Sequence, residues 1–343
     1  MRAAVTVAPG EVTVTEVAEP GQPARDEILL RPLAVGICGS DVHLFHGDTA
    51  ALSGAEWGLP RIQGHEIGAE VIADPAGRLR PGDRVAVWPL VACGSCHRCA
   101  AGAVNACVGL SIIGVHRDGG LAEALTVPAT HVFGVGEVSE VAAAFVEPLS
   151  IGMHAVARSG ARPGDQVVVF GGGAVGQGVC AVLADRDIAT FLVERTPERA
   201  GAGALWGART TTEHDRERLR GEVLDWTAGT GADVVMDATG APAVLDTALD
   251  VVRVGGTVVA VGLTAATGSV HTGTIAAKEL AVLGSSCCTA PEFEKATALA
   301  GRWAGTIDRL PVRRHPLEDC AVALAEAHTA ADAVKVLVDI TRS

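Results

Sequence analysis

The sequence predicts an α/β protein that combines a small β-barrel domain with a doubly wound parallel sheet. Two different rhythms along the chain support this prediction. From Arg2 to about Phe133, short β-rich runs such as Ile28 to Leu33 are broken by Gly and Pro, which is typical of a small β-barrel with long loops. From about Gly152, apolar strands alternate with helices, and such alternation builds a doubly wound parallel sheet.

The end of the chain returns to the mixed pattern of its beginning. An amphipathic helix is predicted near residues 317–328 and a last strand near residues 334–340. We therefore expect the 343 residues to form two domains, because each half is long enough to bury its own core. Residues 1–151 and 285–343 are predicted to form the first domain, and residues 152–284 the second.

Charge and hydropathy argue against several classes of protein. The formal net charge is −13 and no basic stripe offsets it, so the phosphate backbone of a nucleic acid would repel the chain. No apolar run approaches the length of about 18 residues that indicates a membrane span, and the amino terminus lacks the pattern of a secretion signal. We expect a cytoplasmic protein that binds neither nucleic acid nor membranes.

Four of the nine cysteines lie within fifteen residues. They are spaced C-x2-C-x2-C-x7-C and are Cys93, Cys96, Cys99 and Cys107. This clustering, with an odd total, favours metal binding over disulfides. Four thiolates on one short segment can close a tetrahedron around zinc unaided, which is typical of a structural site. An iron–sulfur cluster would demand a redox role that the rest of the sequence does not suggest.

A glycine-rich turn follows the first apolar strand of the second domain. Gly171, Gly173 and Gly176 form G-x-G-x-x-G after the strand predicted over residues 166–170. Glycine lets the backbone approach a pyrophosphate, and the start of a helix supplies oriented N–H groups. The pattern predicts a Rossmann dinucleotide site that also includes Ala174 and Val175. The alternative is an ordinary turn in a glycine-rich protein.

The predicted second strand of this domain ends at an acidic residue, Glu194. A carboxylate there can accept hydrogen bonds from the adenosine ribose hydroxyls and repels a 2′-phosphate, so NAD is favoured over NADP. Two nearby arginines make the preference for NAD over NADP less certain from the sequence. Arg199 could lie flat on the adenine, whereas Arg195 could serve a phosphate or remain in solvent.

Further motifs extend along the whole chain. They are Gly36-Ile37-Cys38-Gly39-Ser40-Asp41-Val42-His43, Gly64-His65-Glu66, Gly82-Asp83-Arg84-Val85, the four-cysteine segment, Glu147-Pro148-Leu149 and the run over residues 233–262. Together they resemble the zinc-containing medium-chain dehydrogenase/reductase family, within its polyol and threonine dehydrogenase branch. The resemblance implies a GroES-like first domain, a Rossmann second domain, and NAD-dependent oxidation of a secondary alcohol.

The same resemblance implies a second, catalytic zinc. Cys38 and His65 would bind it, and Glu66 would be either a direct ligand or a carboxylate that can approach the metal. The alcohol dehydrogenase branch has a second cysteine where this chain has Glu147. That glutamate would ligate directly or through water. Two zinc ions per chain are therefore expected.

Three further residues receive roles from the resemblance. Ser40 would relay the proton released by the alcohol, and His43 would pass it to solvent through the cofactor ribose. Gly262 would form the turn beneath the nicotinamide. The alternatives are that the serine only caps a loop and that the histidine is an ordinary exposed side chain.

The substrate and the assembly are the least determined features. The resemblance implies a small hydroxyl-rich secondary alcohol, either a polyol, a sugar derivative or a cyclitol, and a homodimer or homotetramer. Ordinary sorbitol is disfavoured, because Cys287 and Cys288 stand near where the sorbitol branch has an arginine and an aromatic residue, and the chain has no tyrosine. Leu44, Phe45 and Trp57 would either line an apolar wall of the pocket or pack in the core.

Other functions remain open from the sequence. A simple alcohol or a threonine-like amino alcohol could be the substrate of the same mechanism. A non-catalytic sensor of NAD and zinc would keep the same motifs. An enzyme of the same fold without catalytic zinc is opposed by Cys38, His65 and Glu66, and a zinc-module nucleic-acid binder is opposed by the net charge.

Overall fold

The computed structural model describes residues 1–48, 58–327 and 329–341. They divide into two compact units. The first contains Met1–Glu147, Thr289–Ala330 and Lys335–Ser343, and the second contains Pro148–Cys288 and Ala331–Val334. The sequence placed the domain boundaries after residues 151 and 284, and assigned residues 331–334 to the first domain. That short segment belongs instead to the second unit, where the Ala333 carbonyl accepts a hydrogen bond from Arg199 Nε at 2.7 Å.

The strands are numbered from the amino terminus. They are β1 (Arg2–Ala8), β2 (Glu11–Glu16), β3 (Glu27–Ile37), β4 (Arg61–Ile62), β5 (Glu66–Ala73), β6 (Arg84–Val87), β7 (Leu90–Val91), β8 (Ser111–Ile112), β9 (Leu125–Pro128), β10 (Val132–Gly134), β11 (Gln166–Phe170), β12 (Ala189–Val193), β13 (Arg209–Thr211), β14 (Ala232–Asp237), β15 (Val252–Ala260), β16 (Ala281–Gly284), β17 (Val312–Pro316) and β18 (Lys335–Asp339).

The helices are numbered in the same way. They are α1 (Gly39–His46), α2 (His97–Ala100), α3 (Glu140–Ala144), α4 (Val146–Ser159), α5 (Ala174–Asp185), α6 (Pro197–Ala204), α7 (Arg216–Trp226), α8 (Pro242–Val251), α9 (Thr272–Ala277), α10 (Ala290–Ile307) and α11 (Cys320–Ala327). Short 3-10 helices cover Val104–Ala106, Ala129–His131 and Leu317–Asp319. Within the described residues, no helix is both long and apolar enough to cross a membrane.

The first unit is built around the long strand β3. This strand pairs with β5, β9 and β18, all antiparallel, within a sheet whose order is β10-β6-β5-β3-β18-β17 with β9 beside β3. A second sheet has the order β2-β1-β4, and β7 pairs with β8. The return of the chain end to the first unit, as β17 and β18, agrees with the expectation from the sequence.

The second unit contains a six-stranded sheet in which every pairing is parallel. Its order is β13-β12-β11-β14-β15-β16. The inner strands are nearly continuous apolar runs; for example, Val167, Val168 and Val169 of β11 are fully buried. Such runs are expected where both faces of a parallel sheet are covered. The strand order changes direction at β11, and the loop after this strand carries Gly171 and Gly173, while Gly176 lies in the first turn of α5.

Candidate active site

Three side chains with metal-binding atoms converge in the first unit. The thiol of Cys38, the imidazole of His65 and the carboxylate of Glu66 have ligand atoms that all lie within 4.8 Å of one another. The strand register explains this convergence, because Gly36 near the end of β3 pairs with Glu66 at the start of β5. A Cβ atom at Gly36 would lie 2.0 Å from Glu66 Oε2, so only glycine leaves space for this carboxylate.

Asp41 holds the two ligand segments together, a role that the sequence analysis did not assign. Its carboxylate is fully buried and accepts hydrogen bonds from the main-chain N–H groups of Cys38 at 2.9 Å and Gly64 at 3.2 Å. One carboxylate oxygen also lies 3.4 Å from Nδ1 of His65. Burial lowers the pKa of His65, but the charge and hydrogen bonding of Asp41, with a contribution from Cys38, outweigh it and raise the pKa well above its usual value.

Lys335 forms a buried ion pair with Glu66, another contact that the sequence analysis missed. Its Nζ donates to Glu66 Oε1 at 2.7 Å and to the main-chain carbonyl of Ile37 at 3.0 Å. The two charged side chains are 8% and 2% exposed, respectively. The charge of Glu66 contributes to a raised pKa of Lys335, although burial alone would lower it. The lysine therefore stays charged and neutralises the carboxylate beside the cysteine and histidine.

Glu147 is a buried carboxylic acid within the electrostatic reach of this cluster. Burial is the largest cause that raises its pKa to about 7, and the charge of Glu66 raises it further, whereas His65 and Lys335 act in the opposite direction. Among the described residues, the compact ligand group contains Cys38, His65 and Glu66 but not this glutamate. Direct ligation by Glu147 therefore stays a prediction.

The two residues expected to relay a proton both lie on α1. Ser40 Oγ is 3.4 Å from Nε2 of His65, so its hydroxyl adjoins the ring nitrogen that faces away from Asp41. His43 lies one turn further along and is partly exposed, with Nδ1 3.5 Å from the carboxylate of Asp48. Leu44 and Phe45 are buried in the core, and Trp57 lies outside the described residues.

The cysteine segment forms a separate cluster in the same unit. The ligand atoms of Cys93, Cys96, Cys99 and Cys107 all lie within 4.8 Å of one another. Sulfur–sulfur distances are 3.6 Å for Cys96 and Cys99, 3.9 Å for Cys96 and Cys107, and 4.0 Å for Cys93 and Cys99. A zinc–sulfur bond of about 2.3 Å implies roughly 3.8 Å between sulfurs at tetrahedral corners. The cluster therefore has the dimensions of a four-thiolate zinc site.

Two thiols of this cluster differ strongly in acidity. The main-chain N–H of Ser95 is the largest cause that lowers the pKa of Cys93 to about 5. Burial raises the pKa of Cys99 to about 12, and contacts with neighbouring cysteines add to the increase. At neutral pH one thiol is therefore ionised and the other is not, so occupation by a metal must release a proton.

The glycine-rich turn of the second unit has the expected strand–turn–helix setting. Gly171 follows β11 with a φ of +94°, and Gly173 is the N-cap of α5. Ala174, Val175 and Gly176 form the first turn of this helix. A Cβ atom at Gly176 would lie 1.7 Å from the main-chain oxygen of Gly171, so the turn cannot close around a larger residue. The N–H groups in the first turn of a helix have no acceptor within the helix, so those of α5 suit a phosphate.

Glu194 follows β12 and contacts the glycine turn directly. Its Oε2 accepts the main-chain N–H of Gly172 at 2.7 Å, and its Oε1 accepts from the main chain of Thr196 at 2.9 Å. Arg199 donates from Nε to the Ala333 carbonyl, so its guanidinium has a structural contact as well as the role predicted at the adenine. Arg195 is exposed.

A buried amide and a buried acid complete this part of the second unit. Gln177, which the sequence analysis missed, is fully buried and donates to the main-chain oxygens of Gly172 at 3.0 Å and Arg199 at 2.9 Å. Asp237 ends β14, and its main-chain oxygen accepts from Gly262 N at 2.9 Å. Burial raises the pKa of this aspartate. The predicted nicotinamide turn at Gly262 is thus joined to the end of the neighbouring strand.

Comparisons with known proteins decide the family. Residues 24–137 match the alcohol dehydrogenase GroES-like domain, and residues 174–302 match the zinc-binding dehydrogenase domain. L-galactonate-5-dehydrogenase from Escherichia coli K12 is 33% identical over 301 residues, which cover 87% of either chain. The chain belongs to the zinc-containing medium-chain dehydrogenases. It lies in their polyol branch and is an oxidoreductase of the alcohol dehydrogenase type.

Solved structures of this family share the fold along almost the whole chain. A zinc-binding dehydrogenase from Sinorhizobium meliloti 1021 bound to NADP is 30% identical, with a TM-score of 0.88 and 99% coverage of both chains. An alcohol dehydrogenase, rspB, from Escherichia coli CFT073 in complex with NADH is 25% identical, with a TM-score of 0.85 and the same coverage. These likenesses confirm the predicted combination of a GroES-like domain with a Rossmann sheet.

The residues of this dehydrogenase fit the zinc that its family implies. Cys38 and His65 supply a thiolate and an imidazole, both ordinary zinc ligands, and Glu66 adds a carboxylate oxygen within the same small volume. Nδ1 of His65 is buried without a well-formed hydrogen bond among the described residues. The four sulfurs of the cysteine cluster fit a second ion by their spacing.

Proposed function

We propose that Cys38, His65 and Glu66 hold a catalytic zinc at which a secondary alcohol is oxidised by a nicotinamide dinucleotide. The observation that carries this proposal is the convergence of the three ligand atoms at the end of β3 and the start of β5. Zinc bound there would act as a Lewis acid and make the substrate hydroxyl more acidic. A second zinc on the four-cysteine cluster would be structural, because all its ligands come from one short segment.

The chain's own residues would manage the charge and the proton. Ser40, whose Oγ lies beside His65 Nε2, would relay the proton that the substrate hydroxyl loses. His43 is partly exposed on the same helix and would pass that proton to solvent. Lys335 forms an ion pair with Glu66, the third proposed ligand, and Glu147 would ligate the zinc directly or through water.

We also propose a cofactor site on the glycine turn, with NAD preferred. Gly171, Gly173, Ala174, Val175 and Gly176 would contact the pyrophosphate, because the helix start offers N–H groups there. The carboxylate of Glu194, directly after β12, would bind the ribose hydroxyls of the cofactor and disfavour a 2′-phosphate. Relatives bound to NADP and to NADH both exist, so this preference rests on the carboxylate itself.

The proposed substrate is a hydroxyl-rich secondary alcohol, such as a sugar acid, a polyol or a cyclitol. The sugar-acid dehydrogenase among the relatives supports this class. Sorbitol is proposed to be a poor substrate, because Cys287 and Cys288 provide no cationic donor where the sorbitol branch has an arginine. We further propose a homodimer or homotetramer on the family resemblance, and a cytoplasmic location as the sequence pattern predicts.

The test is a screen of NAD and NADP reduction over sugar acids, linear polyols including sorbitol, cyclitols, threonine and short aliphatic alcohols. The proposal predicts the highest kcat/KM with a sugar acid, polyol or cyclitol, and faster turnover with NAD than with NADP. A best rate with a short aliphatic alcohol would refute the substrate class. Full activity in protein freed of zinc by chelation would refute the mechanism.

A further inference from the structure

A buried polar contact connects β1 to the segment that carries His65. Gln63 lies between β4 and that histidine, and its side chain is fully buried. Its Oε1 accepts a hydrogen bond from Thr6 Oγ1 at 2.5 Å, and its Nε2 donates to the main-chain oxygen of Asp41 at 2.9 Å. Thr6 is 1% exposed. A buried amide is costly without partners, so both ends of this side chain must remain bonded.

Gln63 fixes the part of α1 that carries the Asp41 carboxylate. Asp41 is held at its main-chain oxygen by this glutamine and at its carboxylate by the N–H of Gly64. The two contacts act on opposite parts of one residue, so they restrict its orientation as well as its position. The other carboxylate oxygen faces Nδ1 of His65 at 3.4 Å.

The orientation of this carboxylate matters for metal binding. A histidine that binds a metal usually donates its other ring N–H to a carboxylate, which fixes the tautomer and the ring plane. Within the described residues Nδ1 of His65 is buried and lacks a well-formed hydrogen bond, although Asp41 lies 3.4 Å away. A small shift of Asp41 therefore decides whether this bond forms. A methionine in place of Gln63 would fill a similar volume but leave the Asp41 main-chain oxygen without its donor.

We propose that Gln63, braced by Thr6, is a positioning residue for the catalytic zinc site. Its amide holds Asp41 where the carboxylate can orient His65 and leave Nε2 available for the metal. This inference rests on the proposed function, because it requires zinc on Cys38 and His65.

The experiment measures the zinc affinity of each site by competition with a chromogenic chelator, using the full-length reduced protein. Gln63→Met removes both hydrogen bonds, Thr6→Val removes the hydroxyl at nearly constant shape, and Thr6→Ser retains the hydroxyl. Thr297→Val is the matched control, because the hydroxyl of this buried threonine in α10 donates to the nearby Glu294 carbonyl at 2.7 Å, a contact within one helix turn. Cobalt substitution gives an absorption spectrum that reports the ligand geometry directly.

We expect Gln63→Met to lower the zinc affinity of the catalytic site about 10- to 100-fold and to alter the absorption spectrum of the cobalt-substituted site. Thr6→Val should act in the same direction, with Thr6→Ser and Thr297→Val close to wild type and the four-cysteine site unchanged in all variants. Wild-type affinity and spectrum in Gln63→Met, or equal losses at both sites, would overturn this inference alone. A wild-type protein that binds zinc only on the cysteine cluster would overturn the proposed function and the inference with it.

Discussion

Replacement of Lys335 by methionine should strongly destabilise the strands around the candidate catalytic site in zinc-free protein. The change removes the cation that lies 2.7 Å from Glu66 Oε1 and the donor to the Ile37 carbonyl. Glu66 is 2% exposed, so water cannot solvate its carboxylate once the lysine is removed. Removal of one member of a buried ion pair typically costs about 3–5 kcal/mol. Because about 1.4 kcal/mol corresponds to a factor of ten, local opening should increase at least about 10²-fold.

Hydrogen exchange of the amides in β3 and β5, followed by mass spectrometry on zinc-free protein, measures this opening. Lys295→Met is the matched control, because that lysine is exposed and its loss should change stability by no more than about 0.5 kcal/mol. The double variant Lys335→Met/Glu66→Gln should recover most of the loss, since no unpaired charge remains. A loss below about 1 kcal/mol in Lys335→Met, or a double variant as unstable as the single one, would refute the account of the pair.

Three further predictions concern acidity, metal and cofactor. The pKa of Glu147 is raised to about 7, so its contribution to stability is present below the ordinary glutamate pKa and is lost as pH rises through 7. The Tm of zinc-free wild type should therefore fall over this range more steeply than that of Glu147→Gln, and parallel curves would contradict the assignment. Zinc binding at pH 7 should release the Cys99 proton, because its pKa is about 12, while Cys93 is already ionised. Calorimetry in buffers of different ionisation enthalpy measures that release, and Cys99→Ser should lose the structural zinc only. Glu194→Ser should narrow the ratio of kcat/KM for NAD over NADP, and an unchanged ratio would show that another group sets the preference.

Local spacing made part of the site predictable from sequence. The four cysteines lie within one short segment, and the glycine turn lies between a strand and a helix that are adjacent in sequence. The geometry of both features depends on residues that are close in sequence. The spacing alone therefore predicts that the cysteines can surround one metal ion and that the glycines can form a tight turn. The alternation of strands and helices in residues 152–284 predicted the parallel sheet for the same reason.

Contacts between distant segments could not be predicted in this way. Lys335 reaches Glu66 across 269 positions of sequence, and Gln63 joins Thr6 across 57. Only the pairing of β3 with β5 and β18 brings Lys335 and Glu66 together. A weak signal existed for Asp41, which stands inside the motif that contains Cys38. A buried carboxylate beside a metal-binding thiol needs hydrogen-bond donors. The main-chain N–H groups of the two motifs that contain Cys38 and His65 were the candidates for that role.

The central claim is that Cys38 and His65 bind a zinc distinct from the one on the four-cysteine cluster. Elemental analysis of purified wild type and of Cys38→Ser, both checked for native circular dichroism, tests it most directly. The account predicts two zinc ions per chain in wild type and one in Cys38→Ser. It also predicts that the loss of the zinc on Cys38 and His65 abolishes dehydrogenase activity. Equal zinc content in the two proteins, or an active Cys38→Ser variant with a single zinc, would contradict it.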